Sequence, residues 1–261
     1  VSQIELCADR PAWLKMVWRG WARPGATSSV EDEAVAVRAY RHWRHAEELL
    51  DVATSEFHRI DIVTTLKRAI DHRVRSLREM YQLNRLRQVV GERKIGDLET
   101  LQRLNVSRQF MLGKLMLIRN AVEHQDAVPP AVAECRELVE LVWYFLKSTD
   151  ALLCVPLTEV NLDSSTTVED GSSSHSEGGV TLSFDFETWL PKIAGNMPER
   201  HFSPVAKPGW AEVRLDALDV HDKWVSFAGT VHGPREVLWS MWRDYFAWAA
   251  GGPRAVLYEE H

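Results

Sequence analysis

Arg119-Asn120-Ala121-Val122-Glu123-His124 closes a long apolar run, Val106 to Ile118, and Pro129-Pro130 and a second apolar segment follow at once. The run predicts a helix over about 106–124, with Asn105 or Ser107 as its cap. Phe110, Met111, Leu112, Leu115, Met116, Leu117 and Ile118 leave it little polar surface, so it is expected to be central and buried. Gly113 in its middle costs about 1 kcal/mol relative to Ala, which a close helix crossing would explain. Asn120 and His124 are four residues apart and share a face. Arg119 and His124 are five apart, roughly 140° around the axis. They converge only if the helix frays or turns near Glu123, or if a second subunit supplies half of the site.

Working outward, residues 31–57 predict a first long helix with Val37, Tyr40, Ala46, Leu49, Leu50, Ala53 and Phe57 on its apolar face. A second runs from about Ile60 to Val90 and stops at Gly91, its stripe being Val63, Leu66, Ile70, Val74, Leu77 and Tyr81. The other faces of that helix are basic: Lys67, Arg68, Arg73, Arg75, Arg78, Arg85 and Arg87. Residues 59–94 hold ten Lys/Arg against four Asp/Glu, an excess of six in a chain whose net charge is −6. Such a strip suits a polyanion, because each neutralised phosphate releases condensed counterions; the alternative is a solvated face paired with acidic helices. A short helix is expected over about 95–104. Pro129 and Pro130 can open the next one, where proline is tolerated in the first turn; it runs to about Leu153.

After Pro156 the composition changes. Residues 158–179 are rich in Ser, Thr, Gly and acids and read as a linker. Alternation over Val180–Phe186 and in parts of Ala211–Leu218 and Lys223–Val231 predicts strands, with a turn at Leu218–Asp222. A helix follows from about Pro234 to Ala249. At the other end, Trp13, Trp18 and Trp21 lie among Arg10, Lys15, Arg19 and Arg23. That stretch reads as a short helix or arm whose tryptophans pack on the body of the protein or stack single-stranded RNA. The expected organisation is an arm (1–29), a helical bundle (30–155), a linker (156–179) and a small α+β appendage (180–261). The fold class is thus mainly α.

Composition narrows the rest. An apolar content of 45% with eleven Trp is ample for a packed core and excludes a disordered chain. The net charge argues against a generally basic nucleic-acid coat protein. Cys7, Cys135 and Cys154 are odd in number and widely spaced, which speaks against structural zinc and a disulfide framework and for reduced thiols in a cytoplasmic protein. No run approaches the length of a membrane span. Asp9 and Arg10 stand where a signal peptide would need apolar residues. His42 and His45 with Glu48 and Asp51 read as charged surface rather than a metal site, and no metal or other cofactor is expected. Glycine-rich nucleotide loops and nucleophile elbows are absent from the sequence.

The setting of long helix, motif, double proline and long helix resembles the HEPN superfamily (higher eukaryotes and prokaryotes nucleotide-binding domains). Its hallmark is an Arg, a following polar residue that is often Asn, and a His a few positions on, near the end of the third helix of a bundle. Arg119, Asn120 and His124 match it, and the likeness covers about Val30 to Val155. The resemblance implies a metal-independent endoribonuclease acting as a homodimer with a composite site, in toxin–antitoxin or antiviral-defence systems. An antitoxin or regulatory protein would then be a partner. It equally admits members that have lost activity and serve as RNA-binding or interaction modules.

The chemistry expected of these residues is internal transesterification of RNA. Arg119 holds the phosphate, since its planar fork fits phosphate oxygens. His124 acts as general base, or as acid for the departing 5′-oxygen. Asn120 orients His124 or donates to the phosphate. Lys67, Arg68, Arg73, Arg75, Arg78, Arg85 and Arg87 would track the RNA backbone. A further reading is an interaction protein with Trp239, Trp242 and Trp248 as exposed anchors.

Overall fold

The computed structural model describes residues 11–28, 34–107, 113–114, 116–118, 120–121, 128–154, 156–164 and 178–251. Among the described residues there are eight strands: β1 (Ala12–Lys15), β2 (Ala22–Ser28), β3 (Leu157–Asp163), β4 (Gly179–Ser183), β5 (Lys192–Pro198), β6 (Phe202–Ser203), β7 (Trp210–His221) and β8 (Trp224–Gly233). The helices are α1 (Ala34–Asp51), α2 (Glu56–Met80), α3 (Leu83–Val89), α4 (Asp97–Arg103), α5 (Val132–Cys154) and α6 (Arg235–Ala249). A further helical stretch includes Gly113, Lys114, Met116–Ile118, Asn120 and Ala121. Contacts divide the chain into two units. One holds Val1–Ser29, Gln88–Glu92 and Leu157–Tyr245; the other holds Val30–Arg87, Arg93–Pro156 and Phe246–His261.

The sheet overturns the expectation of a mainly α fold. All eight strands join one sheet in the order β2-β3-β4-β5-β8-β7-β1-β6, every pairing antiparallel. Strands β1 and β2 come from the residues read as an arm, and β3 from the start of the presumed linker. Local patterning missed them for identifiable reasons. β2 is an edge strand carrying Pro24 and Gly25, residues depleted in central strands. Its partner β3 is more than a hundred residues away, as the Thr158 hydroxyl donating to the Thr27 carbonyl illustrates.

Glycine decides the close approaches within the sheet. A Cβ on Gly195 of β5 would lie 2.3 Å from the Gly179 carbonyl oxygen, and one on Gly229 of β8 would lie 2.4 Å from that of Arg214. Gly178, which looked like linker, sits at φ +107 directly against the backbone of Asn196. Because the obstacles are backbone, Gly195→Ala is expected to destabilise the sheet by ~1–3 kcal/mol, as overpacking does; urea denaturation would measure it. The β7–β8 hairpin turns through Asp222 and Lys223, at φ 46 and 65, with His221 opposite Trp224. Two consecutive positive φ values suit a two-residue hairpin turn, and the turn falls later than the sequence pattern placed it.

Within the sheet unit an aromatic core forms around α6. Trp189 and Trp242 have ring centroids 4.2 Å apart, and the Trp242 indole N–H donates to the Trp189 carbonyl at 3.2 Å. Phe184, Phe186 and Tyr245 complete the cluster. Trp18 is buried as well, and Arg19 grips Asp244 of α6 with two hydrogen bonds of 2.5 and 2.8 Å. Trp13 and Trp21 are half-buried. Trp239 is 7% exposed and Trp242 fully buried, which removes both as surface anchors.

In the helical unit α1 and α2 pack along their length and α5 packs on both. The core consists of the predicted stripe, including Val63, Leu66, Ile70 and Leu77, with Leu138, Val142 and Leu146 of α5. Ser55 caps α2 by accepting from the His58 N–H at 3.2 Å. The single helix expected over 60–90 breaks at Tyr81, whose buried hydroxyl donates to the Leu152 carbonyl at 2.5 Å, and Gln82 takes φ 45.

Candidate functional site

The motif enters the structure only in part. Asn120 is helical and exposed, while Arg119 and His124 lie outside the described residues. Upstream, Leu117 is 72% exposed, so this stretch is not buried all round as its composition predicted. Among the described residues nothing lies within 4 Å of a Cβ built on Gly113, so no close crossing accounts for that glycine. Lys114 pairs with Glu137 of α5 at 3.5 Å.

The basic residues of α2 and α3 divide into two groups. Arg73 is fully buried, its Nη2 donating to Asp150 Oδ1 at 2.9 Å. Lys67 is bound to Asp71 within its own helix. Arg78 reaches Asp97 and Glu79 at 3.5 and 3.4 Å. Arg87 is largely covered and bonds Asp97 at 2.7 Å as well as Asn84 and Thr100. These four are structural ties. Arg68, Arg75 and Arg85 are exposed. Burial of Arg73 was legible in the sequence, since it stands three residues after Ile70 and four before Leu77, on the apolar face.

A different grouping appears along the α1–α2 seam. The His42 and His72 imidazoles stack almost parallel, 6° apart with centroids at 4.9 Å. An open cleft of about 690 Å³ is lined, among the described residues, by Val37, Arg38, Arg41 and His42. Arg38 acts electrostatically on both rings, Arg68 on His42 and Arg75 on His72. All four arginines are exposed and none has a hydrogen bond or ion pair among the described residues. The nearby acid is Asp71, already held by Lys67, and His45 faces Glu48 at 3.7 Å. His72 had no partner in the sequence reading. No local signal linked it to His42, which lies on a different helix.

Both imidazoles are held below their ordinary range. Desolvation is the largest cause for each; next come Arg68, Arg38 and His45 for His42, and Arg38, His42 and Arg75 for His72, with Asp71 opposing. The fold therefore favours the neutral rings. The associated stability is complete above the ordinary imidazole value of about 6.5 and is lost as pH falls below it, because the unfolded chain then binds more protons. The melting temperature of the helical unit is expected to drop between about pH 7.5 and about pH 5.5, less steeply in a His42→Gln/His72→Gln protein. Melting curves across that range check the sign.

No cluster of three or more His, Cys, Asp or Glu suited to a metal ion occurs among the described residues, and none of their helices is long and apolar enough to cross a membrane. Cys135 is buried, and burial pushes its thiol up. Comparison with protein-family models, with curated proteins and with solved structures finds no match.

Proposed function

We propose that this protein binds RNA on its helical unit and cleaves it by internal transesterification, as a metal-independent endoribonuclease of the kind its Arg-Asn-x-x-x-His motif resembles. The observation that carries the reading is the group of exposed guanidinium groups on α1 and α2, Arg38, Arg41, Arg68 and Arg75, in the same unit as the exposed Asn120. They concentrate positive charge locally in a chain of net charge −6. Such a surface attracts a polyanion whatever the total charge.

In the proposed reaction the imidazole of His124 takes the proton from a ribose 2′-hydroxyl. The 2′-oxygen forms a bond to phosphorus as the P–O5′ bond breaks. A second imidazole, His124 of another copy, gives its proton to the 5′-oxygen. The products are a 2′,3′-cyclic phosphate and a 5′-hydroxyl. Arg119 stabilises the charge growing on the phosphate oxygens. One His per chain for two proton transfers is the physical reason to propose a dimer. Action as a toxin or defence effector, with an antitoxin or regulatory partner, belongs to the same proposal.

Total RNA incubated with purified protein and EDTA, beside the His124→Ala protein, tests it. Cutting by the parent alone supports the enzyme. Salt-sensitive binding without cutting supports the second reading, a non-catalytic RNA-binding module, which the exposed arginines would serve equally. Arg68→Glu/Arg75→Glu is expected to weaken RNA binding by roughly tenfold or more at low salt, with a smaller slope of affinity against salt. Filter binding at several salt concentrations measures both.

A further inference from the structure

The geometry points to a phosphate-ester binding site in the α1–α2 seam, formed by His42, His72, Arg38, Arg41, Arg68 and Arg75. It does not rest on the cleavage reading, because none of the six residues that define it belongs to the motif. Arg38 and Arg41 line one open cleft beside His42, and Arg68 and Arg75 act on the same stacked imidazole pair from α2, with no carboxylate bonded to any of the four among the described residues. Like charges so gathered repel each other, and an anion relieves that repulsion. A metal cation would be repelled by the same groups. Guanidinium forks match the oxygens of a phosphate and bond two at a time. The two imidazoles add ring N–H donors at the same seam.

The size of the cleft points beyond the bare anion. At about 690 Å³ it falls in the range of small-molecule sites and has room for a nucleoside or a sugar behind the phosphate. The ligand class is therefore a phosphate ester, supplied either by a nucleic-acid backbone or by a free nucleotide.

The stacked rings make binding proton-linked. Arg38 and His45 of α1 and Arg68, Arg75 and Asp71 of α2 face the two imidazoles. Without an anion, burial first and then the arginines hold both rings below their ordinary range. A bound phosphate reverses the local field and draws protons onto them. By linkage, phosphate binds more tightly as pH falls from about 7.5 towards 6.

The full chain is titrated calorimetrically at low salt, at two pH values, with adenosine monophosphate and separately with a 2′-O-methylated single-stranded RNA that cannot be cut. Imidazole C2–H resonances of His42 and His72, assigned with the Gln variants, are followed in parallel. Binding with proton uptake and an upward move of both titration midpoints is the expected result. Arg38→Gln/Arg68→Gln should lower affinity by roughly tenfold or more, while Arg214→Gln, at an exposed position of the sheet unit, leaves it within about twofold. Tighter binding of the RNA identifies a nucleic-acid backbone as the source; tighter binding of the mononucleotide identifies a free nucleotide. The proposal is overturned if neither ligand moves the two midpoints in the parent protein, a measurement that needs no binding variant. It is also overturned if the double-arginine variant binds as the parent does. His124→Ala should bind both ligands normally, which separates failure here from failure of the cleavage reading.

Discussion

RNA cleavage is expected to fall by at least about 100-fold when His124 is replaced by alanine, the lower end of what a positioned general acid or base contributes. Removing the imidazole leaves the 2′-hydroxyl without an acceptor for its proton and the 5′-oxygen without a donor. Arg119→Ala should cost a comparable factor through a different route, because the pentacoordinate phosphorus would lose its permanent cation. The two losses differ in their pH dependence. Parent and Arg119→Ala should keep a bell-shaped rate profile set by two imidazoles, whereas His124→Ala should be flat. Mixing parent with excess His124→Ala protein adds a stringent check. If the two imidazoles come from two chains, each heterodimer lacks one of them, and the mixture loses more activity than dilution of the parent explains. Equal cutting by parent and both variants ends the enzyme reading and leaves the RNA-binding module.

The largest expected effect on stability lies at Asp150. Its carboxylate accepts from the Arg73 Nη2 at 2.9 Å and from the Tyr40 hydroxyl at 2.7 Å, joining α2 and α1 to α5. Lys147 stands 3.7 Å away. Arg73 is 0% exposed, and its Nε and Nη1 have no hydrogen-bond partner among the described residues. The guanidinium also faces the Tyr40 ring at 5.5 Å. Burial, and then the bond to Asp150, push the Tyr40 hydroxyl well above the ordinary phenol range, so it stays a donor at any pH the protein experiences. Asp150→Ala would strand a buried cation and is expected to destabilise the helical unit by about 3–5 kcal/mol. Tyr40→Phe removes one hydrogen bond and should cost only about 1 kcal/mol. Replacing both charges, Arg73→Met with Asp150→Ala, should recover much of the loss, since neither charge then remains buried alone. Urea denaturation followed by far-ultraviolet circular dichroism completes the cycle. Additive single and double effects would mean that the pair is not coupled.

That cluster also bears on which basic residues can meet RNA. Sequence counting treats seven Lys and Arg of α2 and α3 as one strip. The fold commits Arg73 and Arg87 to carboxylates inside the helical unit, pairs Lys67 and Arg78, and exposes Arg68, Arg75 and Arg85. Charge reversal at Arg73 would therefore report on folding, not on RNA. In their place α1 contributes Arg38 and Arg41, which were not among the residues expected to track RNA.

Local periodicity was enough to reveal α1, α2, α5 and α6. Each buries an apolar stripe against neighbours, and a stripe repeats every three to four residues wherever the neighbour lies. It also exposed β4, β7 and β8, which alternate over five or more residues, and the Arg-Asn-x-x-x-His motif itself. Residue chemistry is written one position at a time, so these features need no knowledge of the fold. The tertiary structure alone decided that residues 12–15, 22–28 and 157–163 are strands, that they complete a single eight-stranded sheet among the described residues, and that His42 lies on His72. Those facts depend on pairing between segments distant along the chain. A short or proline-bearing edge strand becomes a strand only when its backbone hydrogen bonds find a partner, and two histidines become a pair only when two helices pack in one register.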